Sequence, residues 1–135
     1  MTKNKPVIEE KIDQALAFED EEEYTSSYDI WYELATEHNE PLAWEMLGNH
    51  LYSGKSYKSK AASLFCRIKA LRAGNDEVFD DLFYIFKDNQ LVIGQLNKIK
   101  RKLIEEQNVD GLIDQLEQLI YGDDKPTSLD EFTIV

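Results

Sequence analysis

Two histidines, one cysteine and a scatter of carboxylates are the side chains of this chain that could carry acid–base, nucleophilic or metal chemistry. Neither His38 nor His50 has a His, Cys or carboxylate at i+3 or i+4, the spacing that brings two ligands to one helix face. Each is read as a solvated or hydrogen-bonded imidazole that needs partners supplied by the fold. Cys66 is the sole thiol, so an internal disulfide and a Cys-based zinc site are both excluded. It sits between Phe65 and Ile68 with no histidine or helix start beside it, which predicts a buried, inert small hydrophobe. Carboxylates such as Asp80-Asp81 and Glu105-Glu106 are adjacent in sequence. Neighbours on a helix point about 100° apart, so they do not share one site as an acid/base pair would. The six glycines stand singly and form no phosphate loop. No enzyme, metal or cofactor is expected.

The elements that must position these groups are marked by helix punctuation, three prolines and six glycines in long uninterrupted stretches. Ile8, Ile12, Ala15 and Leu16 trace one helical face, which fades into the acidic run Glu19 to Glu23. Ser26 or Ser27 is expected to cap a second helix with Trp31, Leu34 and Ala35 on one side. Pro41 opens a third, which stops near Ser53-Gly54, and a fourth runs from about Tyr57 to Ala73 with Gly74 after it. Asn75 caps a fifth, so dense in Val78, Phe79, Leu82, Phe83, Ile85 and Phe86 that a central, well-covered helix is expected. The sixth, about Asn89 to Gln107, and the seventh, from Asp110 to Gly122, complete the set. No segment shows the alternation and turn dipeptides of strands. Residues 1–122 read as one helical domain and 123–135 as a C-terminal arm, in which Ser128 and Glu131 have capping-box spacing.

Charge is the most informative property. The 135 residues carry 15 Lys+Arg against 27 Asp+Glu, a net charge of −12. That balance argues against general nucleic-acid binding and against anionic membranes, and it steers basic partners in. Along the chain the charge is uneven: residues 1–52 are net −10, 53–102 net +6 and 103–135 net −8. The basic middle, with Lys55, Lys58, Lys60, Lys98, Lys100, Arg101 and Lys102, lacks interleaved aromatics and is read as neutralising the acidic ends internally. An RNA-binding stripe is the lesser alternative. The acidic ends are the binding candidates: Glu21, Glu22 and Glu23 with Tyr24 and Tyr28 beside them, and Asp123, Asp124, Asp130 and Glu131. With no apolar leader at Met1–Glu10 and no long apolar run, a cytoplasmic location is expected.

A shift of 35 residues aligns Ala35 with Ala70 and Leu47 with Leu82. Around that period, Trp31-Tyr32-Glu33-Leu34-Ala35, Pro41-Leu42-Ala43, Leu47-Gly48, Tyr52 and Gly54, continued by Ala61-Ala62, Phe65, Ala70 and Gly74, resemble the Sel1-like repeat, a branch of the tetratricopeptide-like helical pairs. The likeness spans about residues 28–86, one unit with flanking halves. It departs where Val78, Phe83 and Lys87 replace Ala, Gly and Tyr. It implies that Gly48 and Ala43 let two helices approach, that Trp31 and Tyr52 fill the wedge between units, and that a groove binds peptides. In size and charge, though not in motif, the chain is also similar to small acidic bacterial immunity proteins. The expected fold is all-α, six to seven helices in stacked antiparallel pairs with a repeat-like hairpin in the centre. The expected function is non-enzymatic capture of a basic protein, a cognate toxin nuclease domain above all, with a peptide-binding adaptor as the alternative.

Overall fold

A computed structural model describes residues 5–135; of the stretch Met1–Glu10 expected to hold no leader, the first four residues lie outside it. Seven α-helices follow in order: α1 (Lys5–Asp20), α2 (Tyr24–His38), α3 (Pro41–Ser53), α4 (Lys60–Arg72), α5 (Phe79–Ile85), α6 (Gln90–Ile104) and α7 (Asp110–Tyr121). Two 3-10 turns, Asp76–Val78 and Leu129–Glu131, complete the set, and no strand occurs among the described residues. Helices α1 to α4 pack each on the next through short connections, and α6 pairs with α7, so the fold is all-α with stacked antiparallel pairs. None of these helices is long and apolar enough to cross a membrane.

Local chemistry explains most helix ends. Pro41 occupies the first turn of α3, behind Glu40, whose carboxylate accepts from the Leu42 N–H at 3.3 Å. Asn75 and Asn89 cap the 3-10 turn and α6 through their side-chain oxygens, at 2.9 Å to Glu77 N–H and 3.2 Å to Val92 N–H. Ser59, not Tyr57, marks the start of α4, its hydroxyl accepting from Ala62 N–H at 3.1 Å. The start of α2 also differs from expectation. The α1 end closes on itself, with Glu23 N–H donating to Phe18 C=O at 2.8 Å and Glu22 N–H to Glu19 C=O at 3.0 Å. This is a Schellman turn with Glu22 in the left-handed position at φ +59°. The chain therefore re-enters helix at Tyr24, and Ser27 lies buried inside α2, donating to Tyr24 C=O at 3.0 Å. Neither Ser26 nor Ser27 is the cap.

The core runs through the first four helices. Trp31, Leu34, Leu47, Leu51 and Leu71 are fully buried, with Val92, Leu96, Ile99, Ile113 and Leu116 continuing it between α6 and α7. Gly48 is where α3 and α4 come closest. Ser63 Oγ donates to Gly48 C=O at 2.7 Å, and a Cβ there would stand 3.2 Å from Arg67 Cγ. Tyr52, expected in a wedge, is instead 38% exposed at the α3 end. α5 is also not central. It is seven residues long; Phe79 and Leu82 are buried while Tyr84 and Ile85 face solvent, because so short a helix is covered on one side alone.

Residues 123–135 do not stand away from the domain. Leu129 is buried, Phe132 packs on Phe65 with ring centroids 5.4 Å apart, and Ile134 lies against Tyr28, Tyr32 and Tyr57. Val135 exchanges backbone hydrogen bonds with Lys58, at 2.8 and 3.4 Å. The segment is a strap across α2 and the start of α4, held by the apolar residues that made it unusual in sequence.

Candidate functional site

The α1–α2 turn presents Glu21, Glu22 and Glu23, all exposed, in a shallow surface shared with Tyr24, Thr25 and Ser26. None of the three carboxylates forms an ion pair among the described residues. The turn's position costs stability twice over: the negative end of the α1 dipole disfavours acidic groups there, and Glu22 holds a backbone shape that favours glycine.

Beneath the turn lies a buried polar cluster that no local spacing announced. Glu19, on the last turn of α1, hydrogen-bonds to His50 Nε2 of α3 and accepts from Trp31 Nε1 of α2 at 3.1 Å, tying three helices together. His50 is fully buried, and its Nδ1 has no partner. Burial pushes the Glu19 carboxyl up, yet the hydrogen bonds from His50 and Trp31 outweigh it and hold the group below its usual range. Tyr24 packs edge-on to His50 at 6.0 Å, and Lys55 reaches over the Tyr24 ring at 4.8 Å and to Glu19 at 4.0 Å. The cluster ties the turn to α2 and α3. Of the two aromatics proposed from sequence, Tyr24 is half-buried at the turn. Tyr28 is 7% exposed, packed against Tyr57 at 4.8 Å, with burial pushing its hydroxyl up to about 12. It is a core residue, so it is not a surface anchor.

The second acidic stretch is not joined to the first by any ion pair or hydrogen bond among the described residues. Asp123 and Asp124 are exposed just after α7, whereas the strap runs on from there to the start of α4. Asp130 lies beside Tyr32. Glu131 closes the capping box, accepting from Thr127 N–H and Oγ1 at 2.7 Å and from Ser128 N–H at 2.8 Å, which hold its carboxyl below the usual range. That carboxylate is committed to the strap itself.

The structure also brings together residues that sequence spacing kept apart. Asp76, Glu77 and Asp80 border a groove of about 310 Å³ with Phe79, Leu103 and the 76% exposed Ile104, and Lys100 at its rim. On another face, Tyr52 and Lys60 meet Tyr84 and Lys87. Aromatics therefore do accompany the central lysines in space: Lys55 lies over Tyr24, Lys60 over Tyr52 and Lys100 over Phe83. Among the described residues three cations of the basic middle pair with the acidic ends, the first of them Lys102, 3.6 Å from Glu105. Arg72 binds Asp114 at 2.8 Å and Glu117 at 2.7 Å, and Lys55 approaches Glu19. Arg67 is buried but pairs with Asp81 of the same middle block, at 2.7 Å. Cys66 is fully buried and burial pushes its thiol up, as an inert core residue requires. No three His, Cys, Asp or Glu side chains converge as a metal would need among the described residues. No family model, curated protein or solved structure matches the chain.

Proposed function

We propose that this chain is a non-enzymatic binding module that captures a basic protein, and that the partner is a toxin domain of the nuclease kind whose cationic cleft it fills. The observation that carries the reading is the α1–α2 turn. Three consecutive exposed carboxylates without cationic partners stand on a left-handed Schellman turn, in a place where helix electrostatics and backbone conformation both oppose them. The buried Glu19–His50–Trp31 cluster holds that turn rigidly against α2 and α3, so little ordering is needed on binding. Tyr24, half-buried at its edge, supplies an aromatic contact. A nuclease must hold phosphates and therefore carries a basic cleft, which a fixed acidic turn fits by charge and blocks by bulk.

The peptide-binding adaptor suggested by the Sel1-like resemblance is less well supported. The surface across α2 and the start of α4 is already covered by the chain's own strap, through Phe132, Ile134 and Val135.

The test is a co-purification from the native host followed by association kinetics with the isolated basic partner. Charge reversal at Glu21, Glu22 and Glu23 to Lys should slow association by about tenfold or more at low salt, with the difference shrinking as salt rises. An association rate that is unchanged by the triple reversal, at any ionic strength, rejects the turn as the recognition element.

A further inference from the structure

We propose that the groove between the start of α4 and the end of α5 is a docking site for an acidic peptide segment of a partner protein that carries one apolar anchor side chain. Its floor is Ala61, Leu64 and Ile85, its walls are Tyr52 and Tyr84, and Lys60 and Lys87 stand at its mouth; the volume is about 430 Å³. The residues come from three segments. Lys60, Ala61 and Leu64 share one face of α4, Tyr52 comes from the last turn of α3, and Tyr84, Ile85 and Lys87 from the end of α5 and just beyond.

Two independent features mark this groove as a contact surface. The first is apolar exposure gathered in one place. Tyr84 is 63% exposed, Tyr52 38% and Ile85 36%, three large side chains left to water side by side in a chain that buries the rest of its fifth-helix cluster well. The second is charge. Lys60 and Lys87 have no carboxylate within 4 Å among the described residues, although the chain carries 27 acidic side chains. Their ammonium groups lie instead over the tyrosine rings, 5.3 Å from the Tyr52 centroid and 4.6 Å from that of Tyr84. Asp81 of α5 is tied to buried Arg67 at 2.7 Å, and Arg67 itself lies 5.6 Å from the Tyr52 ring. The groove mouth is thus a cationic spot in an acidic molecule, and its complement is a carboxylate-bearing ligand.

The same features distinguish a peptide from a nucleic-acid strand. Base stacking needs free ring faces, and here one face of each tyrosine already holds a lysine. A phosphate chain would also extend beyond the two lysines over a surface of net charge −12. A short peptide needs the local field alone, which at physiological salt extends about 8 Å. An apolar side chain on the Ala61–Leu64–Ile85 floor, flanked by carboxylates facing Lys60 and Lys87, satisfies both halves of the groove.

The site shares no residue with the Glu21–Glu23 turn, so it stands or falls apart from the basic-partner reading. The experiment is an amide NMR titration of the full chain with the synthetic peptide acetyl-Glu-Asp-Phe-Asp-Glu-amide. Saturable shifts are expected at Tyr52, Lys60, Leu64, Tyr84 and Lys87, with a dissociation constant on the order of hundreds of micromolar. The double variant Lys60→Glu with Lys87→Glu should weaken binding by about tenfold or more, and Tyr84→Ala by about fivefold. All three positions are exposed, so circular dichroism should show an unchanged fold. The idea is overturned by any of these results: no saturable shift in the groove, equal affinity for the lysine double variant, equal affinity for the peptide with Gln and Asn in place of its acids, or preferential occupation of the groove by an oligouridine.

Discussion

Removing the Glu19 carboxylate is the sharpest test of how the turn is held. Glu19→Ala leaves His50 Nε2 and Trp31 Nε1 without an acceptor, and His50 Nδ1 already has none. Both rings are fully buried, so their polar atoms can meet water only through the space that Glu19 leaves. An orphaned buried polar group costs about 1–3 kcal/mol, and a broken buried pair about 3–5 kcal/mol, so a loss of about 3 kcal/mol is expected. At about 2.1 cal/mol/K per residue, a chain of 135 residues unfolds with about 0.28 kcal/mol/K, which converts that loss to a fall of about 10 °C in Tm. The comparison variant is Glu33→Ala, which breaks the Lys11–Glu33 pair between α1 and α2; both partners there are about a third exposed, and the cost should stay below about 1 kcal/mol. Thermal and urea unfolding followed by circular dichroism read both. The pH dependence adds a second arm. The carboxyl of Glu19 is lowered in the fold, so its ionised form contributes stability above its ordinary value of 4.5, and that contribution fades as pH falls through the lowered value. The stability gap between the native chain and Glu19→Gln should therefore narrow on acidification below about pH 4.5. Equal losses for Glu19→Ala and Glu33→Ala, or a gap that stays constant from neutral pH to acid, would refute the reasoning.

Glycine at the two left-handed glutamates, Glu22→Gly and Glu106→Gly, should each raise stability by about 0.5–1 kcal/mol in urea unfolding, since φ of +59° and +58° strains any side chain. Only the Glu22 change should alter association with a basic partner; a stability loss in either variant contradicts the Schellman assignment. Leu129→Ala should cost about 2–3 kcal/mol and expose the strap to limited proteolysis, because that side chain is 5% exposed beneath residues 126–135. A cost below about 0.5 kcal/mol would mean that the strap adds nothing to the core.

What could be read ahead of the structure follows from the range over which each signal acts. Pro41, Asn89, Gly122 and the Ser128–Glu131 box sit where expected, because a cap is settled by hydrogen bonds within three or four residues, whereas Asn75 caps a 3-10 turn that leads into α5 and not α5 itself. Ser26 and Ser27 were plausible caps on the same rule. They were displaced because the Glu21–Glu23 turn had already satisfied the α1 carbonyls and restarted the chain at Tyr24. Burial was harder to read. The aromatic density of Val78 to Phe86 says that much must be covered but not that a seven-residue helix leaves Tyr84 outside. Partnerships across the fold left no local trace. Glu19 and His50 are 31 residues apart, and nothing in either neighbourhood names the other.

The charge blocks show the same limit and lead furthest toward function. Three segments of −10, +6 and −8 suggested a basic middle consumed by acidic ends. In the fold, Arg72, Lys55 and Lys102 are the cations that bridge from the middle to those ends among the described residues, while Arg67 takes an acid from its own block. Among the described residues Lys60 and Lys87 form no ion pair with a carboxylate, and Glu21, Glu22 and Glu23 none with a cation, each group on its own surface. Opposite charges this abundant within one small domain could have been paired at little cost, since exposed pairs need only modest side-chain ordering. Kept apart, they leave the chain with two contact surfaces of opposite sign. On the two proposals above, the acidic turn would take a basic partner and the lysine–tyrosine groove an acidic one, so one partner carrying both charges on facing segments would engage both sites with the gain in affinity that two linked contacts provide.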